Sequence, residues 1–220
     1  MSPLAERYRA IGSALPQGVE LLAVSKGRPA AMVRELYGLG QRRFGESRLQ
    51  EAVAKQQELA DLPGIEWHFI GRLQANKVRP VVRAFAVIHS VDSLALAQRI
   101  DRIAAEEGVT PEAFLQVKMR PDPAKGGWDP QALTDAWPQL QALSHVRFTG
   151  LMTMAPLGCA QEQRSALFTD CRTLADRLGL RECSMGMSGD WPEAAAAGAT
   201  WVRVGSGLFG ARPGVVNSPA

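Results

Sequence analysis

Short apolar runs recur along the chain, each followed by a helix-length stretch of mixed polarity. The runs are Leu21–Ser25, Arg43–Glu46, Trp67–Gly71, Phe85–Val91, Ala113–Met119, Phe148–Met154, Cys183–Met187 and Trp201–Gly205. Between them, 30–39, 48–60, 75–83, 93–107, 130–143 and 160–178 carry helix formers with apolar residues three to four apart. The first residues, 1–15, read as a further amphipathic helix, and 212–220 as a flexible tail. Strict alternation of strand and helix implies a parallel sheet with helical crossovers. Eight such units suggest closure into a (β/α)8 TIM-like barrel. An open doubly wound sheet is the alternative. It lacks support because no G-x-G-x-x-G follows the first strand. No linker or composition break divides the chain, so 1–220 reads as a single domain.

Barrels of this kind place their chemistry at the C-terminal ends of the strands. Strand one ends in Ser25-Lys26 and strand two in Glu46-Ser47. Strand four ends in His89-Ser90, strand six in Thr153, strand seven in Ser188, and strand eight is followed by Ser206-Gly207. The loops after strands seven and eight are where such barrels often bind phosphate. Ser188 offers a hydroxyl there, and Gly205-Ser206-Gly207 offers backbone N–H groups that an anion can approach closely. The same tripeptide is also compatible with an ordinary turn.

Arg203 stands out in an otherwise apolar strand. A buried guanidinium costs several kcal/mol unless paired. Alternation puts Trp201, Arg203 and Gly205 on one face and Val202 and Val204 on the other. Arg203 then either forms an ion pair on the barrel floor with Glu46 or Asp190, or addresses a ligand. Of five lysines, Lys55 and Lys77 fall on amphipathic helices and are expected in solvent. Lys125 lies in a Pro/Gly-rich loop. Lys26 and Lys118 lie near strand ends, where burial lowers the amine pKa and makes an imine-forming nucleophile. On these grounds the two remain rivals, and a plain phosphate-binding barrel stays open. His68 and His89 read as strand-end polar groups satisfied by backbone. Glu51, Lys55 and Glu58 read as a solvated, ion-paired helix face.

Charge and composition remove other classes. The net charge of +3 comes from scattered arginines, with no basic stripe interleaved with aromatics, so nucleic acid is not expected as a partner. No apolar run approaches the ~18 residues needed to span a membrane, and the acidic Glu6 argues against a signal peptide. Three cysteines without metal spacing favour neither a disulfide framework nor a zinc site, and point to a reducing cytoplasm.

The segments AVSKGRP, FGESRLQE, WHFIGRLQANK, HSVDS, GLMTMAP, SMGMSGDWPEAAAAGAT and VRVGSGLFG occur in order over roughly residues 20–212. Together they resemble the YggS/PROSC family of pyridoxal phosphate (PLP) homeostasis proteins. That resemblance implies the fold of the alanine racemase N-terminal domain and the cofactor pyridoxal 5'-phosphate. Lys26 matches the lysine that forms the Schiff base. Ser188, Gly205 and Ser206 match the phosphate ligands, the last where the family has threonine. Arg203 matches the arginine set against the pyridine nitrogen. Three departures stand out. Ser47 replaces a usual Asn, Gly27-Arg28 replaces Thr-Lys, and Cys183 replaces Leu, where it is expected simply to pack.

The resemblance implies an intracellular PLP carrier whose recipients are PLP-dependent apo-enzymes. The alternative is a racemase-like enzyme, which needs an acid/base on each face of the reacting carbon. Related racemases use the lysine and a tyrosine from the partner subunit's second domain. Tyr8 and Tyr37 both fall on helices away from the strand ends. An arginine beside the pyridine nitrogen also weakens the ring as an electron sink. A non-catalytic carrier is therefore expected, and a monomer, because the racemase dimer depends partly on a second domain for which this chain has no room.

Overall fold

The computed structural model describes residues 2–122 and 125–211. Eight parallel strands form one closed barrel in chain order: β1 (Glu20–Val24), β2 (Arg43–Glu46), β3 (Glu66–Phe69), β4 (Val87–Val91), β5 (Glu112–Gln116), β6 (Arg147–Met152), β7 (Glu182–Ser184) and β8 (Trp201–Val204). Closure is made by β1 on β8, with Leu22 opposite Arg203 and Ala23 opposite Val204. The open doubly wound alternative is thereby removed.

Helices cover the outside: α1 (Pro3–Ala14), α2 (Ala30–Gly38), α3 (Leu49–Glu58), α4 (Val78–Ala84), α5 (Leu94–Glu107), α6 (Pro130–Gln141), α7 (Gln161–Arg177), α8 (Trp191–Ala196) and α9 (Ser206–Phe209). Their starts follow local chemistry. Ser2, Ser93 and Asp129 each accept N–H groups of the first turn they cap. Pro130 and Pro192 sit in first turns, where a missing N–H costs nothing. The N-terminal helix expected over 1–15 is α1. The tail expected over 212–220 lies outside the described residues. Helix α8 was not foreseen, being only six residues long and following directly on a turn.

The strands separate two apolar layers. Val202, Val204, Leu115 and Leu151 face the helices in the larger core. Leu22, Val87, Phe114, Met152 and Trp201 fill the barrel itself. The alternation expected in β8 is therefore observed, with Trp201 inside and its valine neighbours outside. Cys183 is fully buried and packs in the outer core.

Candidate functional site

A cavity of roughly 570 Å³ opens at the C-terminal ends of β1, β6, β7 and β8. Lys26, Ser188, Arg203, Gly205 and Ser206, the five residues singled out in the sequence, all line it. Val24, Ile70, Met152 and Met154 supply apolar walls. The volume and the mixture of apolar walls with a few polar groups are those of a small-molecule site.

Lys26 follows β1 in a turn closed by Arg28 N–H donating to Ser25 O at 3.0 Å. Gly27 takes φ +68° there, a left-handed conformation that favours glycine over residues with a side chain. The peptide before Lys26 is held from behind. Ser25 Oγ donates to Glu46 Oε1 at 2.7 Å, and Lys55 Nζ donates to Ser25 O at 2.9 Å and also pairs with Glu46. Glu46 is fully buried and Lys55 only 4% exposed. Lys55 was expected in solvent as part of an ion-paired surface face. The structure corrects this for Lys55, which α3 turns in over the end of β2, while Glu51 stays partly exposed and Glu58 exposed. Burial pushes the Glu46 carboxyl up, and the Lys55 hydrogen bond pulls it back.

Arg28 is buried as well. It donates to the carbonyls of Gly210 and Ala211 and lies over the Phe209 ring. With Arg7, which donates to Leu208 O at 2.6 Å, it ties down the turn that ends α9. Neither contact was anticipated. In the sequence Arg28 registers only as a departure from the usual lysine.

Ser188 anchors the other side. Its Oγ accepts N–H from Gly205 at 3.3 Å and from Gly207 at 3.0 Å. The loop carrying it is shaped by Asp190, whose carboxylate accepts from Met187 N–H. A Cβ on Gly207 would lie 3.2 Å from Ser188 Cβ and from Val204 Cγ1, so the close approach of the two loops favours glycine there. One hydroxyl thus gathers backbone donors that have no helix partner of their own, an arrangement suited to phosphate oxygens.

Arg203 makes neither of the ion pairs considered for it. Glu46 is taken by Lys55, and Asp190 by the Met187 amide. Its Nη1 donates to Ser184 O at 2.5 Å and to Ser184 Oγ at 2.8 Å, and its Nη2 to Thr153 O at 2.9 Å. Burial lowers its pKa to about 10, so it remains a cation at neutral pH. Ser184 was not recognised in the sequence, where SMGMS points to its last residue. His68 and His89 are not satisfied by backbone as expected. They bond to each other at 2.9 Å inside the barrel. Lys118 lies outside the cavity and lines a separate cleft with Asp122 and Lys125.

An amine, two serine hydroxyls, gathered N–H groups and a fixed guanidinium around apolar walls fit a flat ring bearing an aldehyde and a phosphate. Residues 1–213 match the model of the alanine racemase N-terminal domain family. A pyridoxal phosphate homeostasis protein of Synechocystis is 48% identical over 211 residues, covering 93% of this chain and 97% of that protein. The protein of the same name in Escherichia coli K12 is 35% identical over 206 residues, covering 90% and 87%. The structure of PipY from Synechococcus elongatus with PLP bound superposes with a TM-score of 0.91 at 54% identity, over 94% of this chain and all of that one. Alanine racemase of Clostridium difficile shares the fold, with a TM-score of 0.80 at 16% identity over 96% of this chain and 60% of that one.

Proposed function

The chain belongs to the pyridoxal phosphate homeostasis proteins of the alanine racemase N-terminal domain family, and from that premise we propose that it binds pyridoxal 5'-phosphate as a carrier. Lys26 supplies the amine for a Schiff base. Ser188, Gly205 and Ser206 receive the phosphate, and Arg203 faces the pyridine nitrogen. The observation that carries this reading is the cavity itself, which all five residues line. When bound, the cofactor supplies an electrophilic aldehyde carbon and an anionic phosphate.

The remaining work is the chain's own. Val24, Ile70 and Met152 exclude water from one end of the site, while Ser188 orients the N–H groups of Gly205 and Gly207. A carrier role is supported by what the site does not bring together. Tyr37 donates to Pro63 O, and Tyr8 lines a depression at the opposite end of β1. Neither offers an acid/base across from Lys26, which racemisation requires. The proposal extends to a cytoplasmic monomer that hands the cofactor to PLP-dependent apo-enzymes. No helix among the described residues is long and apolar enough to cross a membrane.

The test is direct. After incubation with PLP and dialysis, the protein is expected to be coloured, and borohydride reduction followed by peptide mapping to place the adduct on Lys26. A colourless protein overturns the reading. Ser188→Ala is expected to weaken PLP binding about 10- to 100-fold, the value of one hydrogen bond to a charged group. The adduct should stay on Lys26. An unchanged Kd in a titration would remove Ser188 from the phosphate site.

A further inference from the structure

Inside the barrel a single line of polar side chains runs from the cavity to the opposite end. It starts at Arg203, whose Nη1 lies 2.8 Å from Ser184 Oγ. Ser184 Oγ is 2.9 Å from His89 Nδ1, and His89 Nε2 is 2.9 Å from His68 Nδ1. His68 Nε2 is 2.8 Å from Glu66 Oε1. Ser184, His89 and His68 are completely buried. The Glu66 side chain is 42% exposed, at the start of β3, where Arg43 approaches it at 3.4 Å. Aromatic rings hold the line in place, with Phe114 stacked on His89 and Trp201 tilted against His68.

Chemistry fixes the direction of every proton along it. The His68 hydrogen bond holds the Glu66 carboxyl below its ordinary value, so Glu66 is a carboxylate and only accepts. His68 Nε2 therefore carries a proton. Burial pushes His68 down, so its ring is neutral and its Nδ1 is a bare acceptor. His89 Nε2 must then be the donor between the two rings. Burial pushes His89 well down too, leaving its Nδ1 bare to receive the Ser184 hydroxyl proton. With that proton turned away, Ser184 Oγ offers lone pairs to Arg203. All the bonds point one way, from guanidinium to carboxylate.

We propose that Glu66 is a positioning residue for Arg203, acting through His68, His89 and Ser184. It selects the proton order that presents a lone pair to the guanidinium. Arg203 contacts no carboxylate among the described residues, and Asp190 favours its charged form from a distance; through the chain Glu66 adds a second, remote anion. Neutral hydrogen-bonded groups polarise one another along such a chain, so an anion at one end favours a cation at the other. The consequence for the cofactor rests on the proposed function. An arginine kept charged and immobile against the ring nitrogen keeps that nitrogen unprotonated.

The protein alone allows the test. It has three histidines, and His145 is exposed and serves as a reference. Long-range proton–nitrogen spectra of the cofactor-free, histidine-labelled protein are expected to show His68 and His89 neutral, each with its proton on Nε2. In Glu66→Leu the two rings are expected to change tautomer population together. In Glu66→Gln, whose amide oxygen still accepts, the wild-type tautomers should return. Circular dichroism confirms that each variant is folded. A wild-type His89 protonated on Nδ1 overturns the proposal. So does a folded Glu66→Leu protein whose His89 signals do not move. Failure to bind PLP would sink the proposed function but leave these spectra, and the inference drawn from them, in place.

Discussion

Replacing Lys55 with methionine is expected to destabilise the protein by about 3–5 kcal/mol, a large share of a typical domain's stability. The variant leaves the Glu46 carboxyl buried with Ser25 Oγ as its remaining donor. Its Oε2 already has no hydrogen-bond partner among the described residues. Adding Glu46→Gln, which removes the charge and keeps an acceptor for Ser25, is expected to recover more than half of the loss. Urea unfolding of the single and double variants measures both. A single variant within about 1 kcal/mol of wild type would show that the pair does not hold β2 and α3 together. The site should suffer as well, because Lys55 also fixes the Ser25 carbonyl. PLP retention at a given concentration is expected to fall even where the variant is fully folded.

The second large effect is all-or-none. Lys26→Ala is expected to abolish the borohydride-fixed PLP adduct, read by intact-mass measurement, while Lys118→Ala leaves it unchanged. On chemistry alone the two lysines are rivals, and the family resemblance selects Lys26. The cavity separates them independently, since Lys26 lines it and Lys118 does not. Ser188, Gly205 and Ser206 remain in Lys26→Ala, so weaker, reversible binding is expected to persist. An adduct of full stoichiometry in Lys26→Ala would assign the covalent bond elsewhere.

The barrel was readable because a closed parallel sheet buries both faces of each strand, so even four-residue strands stand out as apolar runs between helices. The cavity residues were readable because the fold sends strand ends to one rim. What escaped depends on register rather than on pattern. A lysine four residues after Glu51 looks like any surface ion pair, and only the docking of α3 over β2 takes Lys55 inside. His68 lies opposite Val87, not opposite His89. Nothing in either local sequence says that the two rings meet across the pleat. Ser184 was overlooked for the same reason, since its role is set by Arg203 on the neighbouring strand and His89 across the barrel.

The packing below Arg203 has a consequence for traffic. Among the described residues, Leu22, Val87, Phe114, Met152 and Trp201 plug the barrel, so a molecule in the cavity enters and leaves on the rim side and not through the barrel. Under the proposed carrier role, a donor and a recipient of the cofactor could not both use that side of the barrel at the same time. Under that role, loading and unloading would alternate, as on a ferry with a single berth rather than a conduit between two shores.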